Sequence, residues 1–200
     1  MYGLPTNTEL NKQLSKERIF VQFKVNHSAQ DAFNADISTM FISNHISEAT
    51  VPGLKTGKTV QGIYVLTLNL KHLGCGKKNL ELLAKAIPQN MVFALAFENT
   101  VQFAVYYENL YVTVPLEAVN AKLQLQGTDL DEIWENLIKS VGGIIVEGDN
   151  TLKEQIEVDD ARAKLQKQID SLTEKAYKEK QPRRKMELIK QVKELQGKLQ

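Results

Sequence analysis

Pro182 divides the last fifty residues into two stretches that repeat one spacing. Leu165, Ile169, Leu172 and Ala176 recur at intervals of four, three and four, and Leu188, Val192, Leu195 and Leu199 repeat those intervals beyond the proline. Apolar residues so spaced line one face of an α-helix, and proline inside a helix removes a hydrogen bond and breaks the run. Residues 151–200 are therefore expected to form a charged helical hairpin or a segmented coiled-coil arm. Residues 1–148 read differently. Short apolar runs with β-forming residues alternate there with helical patterns, which predicts an α/β (α+β) globular domain. Its expected architecture is a mixed, largely antiparallel sheet with packed helices. Gly148-Asp149-Asn150 is the predicted linker.

Charge follows the same division. The formal net charge is +1, yet residues 151–200 hold 13 Lys or Arg against 9 Asp or Glu, and residues 1–150 hold 12 against 15. The arm is mildly basic and the globule mildly acidic, which weakly favours an acidic partner for the arm. A single cysteine, Cys75, excludes an intrachain disulfide, and three histidines at unrelated spacings build no conventional zinc site. The segment MYGLPTNTEL has neither the basic nor the apolar part of a signal peptide. The longest apolar run, Met91 to Phe97, falls far short of the roughly 20 residues that span a bilayer. A cytoplasmic protein without membrane association is expected, and no metal or cofactor.

Residues 1–14 carry Gly3 and Pro5 and predict an irregular lead-in. Ser15 is placed to cap a short helix to Lys24, and Ser28 to cap another to about Asp36. Strands are predicted at Ile37–Ile46, Val60–Leu70, Met91–Glu98, Val101–Tyr107 and Leu110–Val114, with short extended pieces at Lys122–Gln126 and Ile144–Val146. The run Ile63, Val65, Leu66, Leu68 and Leu70 suggests a central strand buried on both faces. A helix is expected at Asn79–Ile87. A second begins after Thr128, carries Leu130, Ile133, Trp134, Leu137, Ile138 and Val141 on one face, and stops at Gly142-Gly143.

Gly53-Leu54-Lys55-Thr56-Gly57-Lys58-Thr59 resembles a phosphate-binding loop. It has three residues between its glycines instead of four, and a strand follows where the motif needs a helix, so a hairpin loop is expected. Gly74-Cys75-Gly76-Lys77-Lys78 precedes a helix. Two lysines and a helix N-terminus would lower the thiol pKa, but nothing orients His72 as a base, so the expectation is a turn with a dispensable cysteine. Asn69-Leu70-Lys71 stands where some nucleases carry an acid–x–Lys triplet, yet no acid lies between Val60 and Lys71. Tyr106, Tyr107 and Tyr111 make a poor stacking platform for RNA, because no Lys or Arg lies between Gln102 and Asn120. From Lys175 to Lys185, six cations surround one acid at the expected hairpin tip.

Three phrases carry a resemblance: Leu4-Pro5-Thr6-Asn7-Thr8-Glu9-Leu10-Asn11-Lys12, Ala86-Ile87-Pro88 leading into Val92-Phe93-Ala94-Leu95, and Leu123-Gln124-Leu125-Gln126-Gly127 before Leu130-Asp131-Glu132-Ile133-Trp134. In this order and spacing the chain resembles the bacterial family catalogued as domain of unknown function 4391. The resemblance implies a bacterial or phage-related protein whose genes lie beside helicase and DNA-methyltransferase genes of restriction-like systems. It also implies an acid before the lysine of the central strand, and Asn69 departs from that pattern. It supplies no catalytic residues.

The expected function is a non-enzymatic accessory subunit of such a phage-defence or DNA-processing system. Its partner is a helicase or methyltransferase-type protein, or a second copy, bound through Leu165, Ile169, Leu172, Leu188, Val192 and Leu195. The alternatives are a divergent metal-dependent nuclease and a nucleic-acid-binding module using Lys178, Lys180, Arg183, Arg184 and Lys185.

Overall fold

The computed structural model describes residues 1–198, so Leu199 of the expected seam lies outside the described residues. The chain divides into two compact units, residues 1–144 and 145–200. The first is a mixed α/β unit built on one seven-stranded sheet, with strands β1 (Glu9–Leu14), β2 (Ile37–Ile46), β3 (Ile63–Leu70), β4 (Asn90–Phe97), β5 (Thr100–Tyr107) and β6 (Asn109–Val112) in spatial order, and β7 (Leu116–Glu117) paired with β5. Every pairing is antiparallel except β3 with β4. A parallel pair needs a crossover, and the helix α3 (Lys77–Ala86) supplies it.

β3 is central, as its composition predicts. Leu66, Leu68 and Leu70 join Met40 of β2, Phe93 and Leu95 of β4, Phe33 of α2 (His27–Asp36), Ile19 and Phe20 of α1 (Lys16–Gln22), and Leu80 and Leu83 of α3 in one buried cluster. Alternation along the strand sends Val65 and Thr67 to the other face. There α4 (Leu130–Gly142) packs on β5 and β6 and buries its predicted stripe from Leu130 to Val141. Gly143 ends α4 in the left-handed conformation at φ 61°, which glycine adopts without a Cβ penalty.

The first fourteen residues are not an irregular lead-in. Residues 9–14 form edge strand β1, with a bulge between Glu9 and Lys12 and Asn11 in the left-handed region at φ 47°. β1 is mostly exposed, so it has no alternating pattern for a sequence reading to find. Tyr2 anchors the segment ahead of it. Its ring meets Phe103 edge-on at 5.5 Å and its hydroxyl lies 3.1 Å from Thr67 Oγ1, which in turn pairs with the buried Ser43 hydroxyl. Burial raises the Tyr2 pKa, and the bond to Thr67 partly offsets that. Leu123 donates its backbone N–H to the Tyr2 carbonyl, so the predicted strand at Lys122–Gln126 reduces to a single backbone bond. Ile144–Val146 is likewise no strand.

Two caps are displaced by a residue or two from their expected places. Asn26, not Ser28, caps α2 by accepting from Ala29 N–H at 2.9 Å. Asp129, not Thr128, caps α4 by accepting from Glu132 N–H, while Glu132 reaches back to Thr128. Ser15 caps α1 as expected.

The second unit is a helical hairpin of α5 (Leu152–Lys178) and α6 (Pro182–Gln196), which pack against each other. Thr151 and Glu154 form a reciprocal capping box at the start of α5, and Pro182 stands in the first turn of α6, where a missing N–H costs nothing. Residues 147–150 are tied to α5. Gln155 Oε1 accepts from Glu147 N–H at 3.0 Å and Asn150 Nδ2 at 3.1 Å, and Arg162 holds the Glu147 carboxylate with both terminal nitrogens.

Candidate functional site

Three places in the α/β unit gather polar side chains that the sequence left as separate motifs. The first lies at the end of β3, where the crossover begins. Asp36, the last residue of α2, directs its carboxylate at the start of α3. Its Oδ2 accepts from Gly76 N–H at 2.6 Å and Asn79 Nδ2 at 2.7 Å, and its Oδ1 lies 3.1 Å from His72 Nε2. An anion at the N-terminal end of a helix offsets the unpaired N–H groups there. Asp36 thus does for α3 what a capping side chain at Gly76 cannot. Cys75 sits half-buried in the same turn. Burial first, and the adjacent Asp36 second, push its thiol up to about 12. The lowering that Lys77, Lys78 and the helix terminus would cause is overridden, and a thiol in that range stays protonated at neutral pH.

The second place is the Gly53–Thr59 loop. It is a hairpin connection, as its spacing predicts, but its backbone still binds an anion. Lys58 N–H donates to Asp131 Oδ2 at 2.6 Å, Thr59 N–H and Val60 N–H donate to Oδ1 at 3.2 and 2.8 Å, and the Thr59 hydroxyl adds a bond of 2.8 Å. Successive N–H groups on one carboxylate form the kind of concavity that holds phosphate elsewhere. Here the occupant is the chain's own aspartate, positioned because Lys55 exchanges backbone bonds with Thr128 and Leu130 at the start of α4. These bonds lower the Asp131 pKa, Val60 N–H contributing most. Gly57 permits the approach: a Cβ there would lie 2.4 Å from Asp131 Oδ1.

The third place surrounds Asn69 and Lys71. Asn69 Nδ2 donates to Thr39 Oγ1 at 2.8 Å across the β2–β3 pairing. Thr39 and Ser38 border an open cleft of about 660 Å³ whose other wall is Gln13 to Arg18. Lys16 donates to the Ile37 carbonyl at 2.7 Å and Asn34 Oδ1 at 3.1 Å. Desolvation, then repulsion from Lys71, lowers its pKa. The cleft is polar, with Lys16 and Arg18 set against one acid, Glu17. Among the described residues there is no group of three His, Cys, Asp or Glu side chains suited to a metal ion.

In the hairpin, Ile169 and Ala176 are buried, while Leu165, Leu172, Leu188, Val192 and Leu195 are half-buried. The seam residues thus lie along the α5–α6 contact, and α6 has no buried residue of its own. Outside the seam, Met186 is 73% and Ile189 41% exposed. At the tip, Lys178 pairs with Glu174 at 2.5 Å. Lys180, Arg183, Arg184 and Lys185 are exposed and join no ion pair among the described residues.

Fold and sites together define a mixed α/β protein with a helical hairpin, whose two glycine turns are closed by internal aspartates. The chain belongs to the family described as Domain of unknown function (DUF4391), whose model matches residues 2–199. No curated protein and no solved structure matches it significantly. No helix among the described residues is long and apolar enough to cross a membrane.

Proposed function

We propose that the chain is a non-enzymatic accessory subunit that binds a larger protein through the α5–α6 hairpin. The setting proposed is a bacterial restriction-like or phage-defence system, with a helicase or methyltransferase-type partner. The observation that carries the reading is the incompleteness of the hairpin. None of the fifteen residues of α6 is fully buried, its seam residues Leu188, Val192 and Leu195 are only half-buried, and Met186 and Ile189 stand exposed outside the seam. Isolated helices of this length are marginal in water and draw most of their stability from packing. A partner helix laid along α6 would supply that packing. The geometry elsewhere favours binding over catalysis: Cys75 is held protonated, Asp36 and Asp131 close turns, and the Asn69 amide is bonded to Thr39.

The test is affinity capture from the native host with the full chain and with Leu172→Asp/Leu195→Asp. Two charges placed in a half-buried seam cost free energy unless they reach water. The variant should lose the captured protein, or its mass in solution should drop to that of one chain, while the α/β unit melts as before. Unchanged capture and unchanged mass would make the hairpin a solvated appendage.

A second reading has its own support. The unpaired cations Lys180, Arg183, Arg184 and Lys185, with Lys178 beside them, fit contact with nucleic-acid phosphates. Its signature is binding that weakens steeply as salt rises. A divergent nuclease has least support, and cleavage of DNA with magnesium or manganese that is lost in Lys71→Ala would restore it.

A further inference from the structure

The turn between α1 and α2 holds an aromatic side chain at the surface. Phe23 N–H donates to the Ile19 carbonyl, Lys24 N–H to that of Val21 and Val25 N–H to that of Phe20. Lys24 sits in the left-handed region at φ 49°, a conformation that costs a non-glycine residue free energy. The result fixes Phe23 at 39% exposure beside Val21 at 79%. Across from this turn, Lys78, Glu81, Leu82 and Lys85 recur at intervals of three, one and three and so share one stripe of α3. Turn and stripe enclose an open groove of about 450 Å³, with Phe23, Val25 and Leu82 among its apolar lining.

The rim of that groove carries a local charge surplus. Lys24, Lys78 and Lys85 line it, and among the described residues none of the three joins an ion pair. The single acid, Glu81, faces Lys77 at 3.8 Å. The surplus is local, because residues 1–150 as a whole hold more acids than bases. An apolar floor ringed by unpaired lysines complements a chain with acids around an apolar anchor. We infer that this groove docks an acidic segment of a partner protein, one that places a large apolar side chain against Phe23 and Leu82. The surface lies in the α/β unit and does not depend on the hairpin reading.

The experiment uses the full chain and a fluorescein-labelled peptide of glutamates with one tryptophan and two leucines at helical spacing. Fluorescence anisotropy should show saturable binding that weakens with salt. Phe23→Ser and, separately, Lys78→Glu/Lys85→Glu should each weaken it about tenfold or more, with unchanged thermal melts. The lysine pair is on the exposed face of α3, so that variant decides the matter even where Phe23→Ser unfolds. Lys24→Gly relieves the left-handed conformation and should raise the melting temperature while weakening binding a few-fold, a combination a purely structural residue would not give. Equal binding of a polyglutamate without apolar residues, or of a single-stranded oligonucleotide, would overturn the inference. So would wild-type affinity in the lysine variant. A dimer in sedimentation velocity that Phe23→Ser dissociates would assign the groove to a second copy and overturn it as well.

Discussion

Two glycine-bearing turns of the α/β unit each receive an aspartate from a distant part of the chain, and the two are held differently. Asp131 meets the Gly57 loop near the surface and takes four donors, three from backbone and one from the Thr59 hydroxyl. None of them titrates near neutral pH, so the contact acts as a staple between the loop and α4. Asp36 is more enclosed, with its side chain 16% exposed, and shares its carboxylate among Gly76, Asn79 and His72 while raising the Cys75 thiol. The same chemical device, a carboxylate on backbone N–H groups, gives a fastener in one turn and a charged hub among ionisable neighbours in the other. Backbone geometry makes an anion site, and what stands around the anion decides what it does.

The contrast can be broken most severely at Gly57. A Cβ there would approach the Asp131 carboxylate to 2.4 Å and its backbone nitrogen to 2.8 Å, so the loop must shift. Gly57→Val should destabilise by about 3 kcal/mol, read as a lower urea midpoint at unchanged slope. Asp36→Ala comes next. It strips the start of α3 of its acceptor and leaves Asn79 with a poorer one, at about 2 kcal/mol by the same measurement. The isosteric Asp36→Asn should lower the thiol from about 12 but leave it above the ordinary 9.0, because burial, the larger cause, remains. The pH dependence of the thiol's reaction with a disulfide reagent reads this directly.

Asp131→Asn keeps the shape and removes the charge. Its closeness to solvent holds the expected loss to about 1 kcal/mol. The Asp131 pKa is lowered in the folded chain, so its contribution is full above the ordinary value of 3.8 and disappears as pH falls through the lowered one. The difference between wild type and variant should be constant near neutral pH and vanish in strong acid. Cys75→Ser should have the smallest effect, within about 0.5 kcal/mol, because Asp36 fixes the turn through Gly76 N–H and Asn79, and the thiol adds only a long contact of 3.9 Å to the Gly76 carbonyl. A large loss of stability there would make the cysteine part of the hub.

Legibility in the sequence followed how local each cause is. The stripe of α4, the apolar β4 and the spacing of the hairpin helices each lie within one element, and periodicity alone revealed them. The order of strands around the parallel β3–β4 pair was visible only as a helix between two apolar runs. β1 escaped because an exposed, bulged edge strand buries no alternating face. The Tyr2 anchor escaped because its partners, Thr67 and Phe103, lie more than sixty residues away. The aspartates escaped for the same reason: Asp131 serves residues some seventy positions earlier, and Asp36 serves Gly76 forty positions later. Gly57 did carry a local hint, since a glycine beside Lys58 and Thr59 marked an anion-binding backbone. Only the origin of the anion was hidden.

The bulge in β1 bears on how this molecule behaves in company. An open sheet ends in a strand with unpaired N–H and carbonyl groups, and a regular edge invites the strand of another molecule to continue it into a fibre. At one border the left-handed Asn11 interrupts the ladder, with Glu9 and Lys12 flanking it. At the other, Pro115 follows the exposed Val112 and Val114 and offers no donor. Both borders of the sheet are thus blunted against polymerisation. A chain with a regularised β1 and no Pro115 should aggregate at concentrations where the natural one stays dispersed.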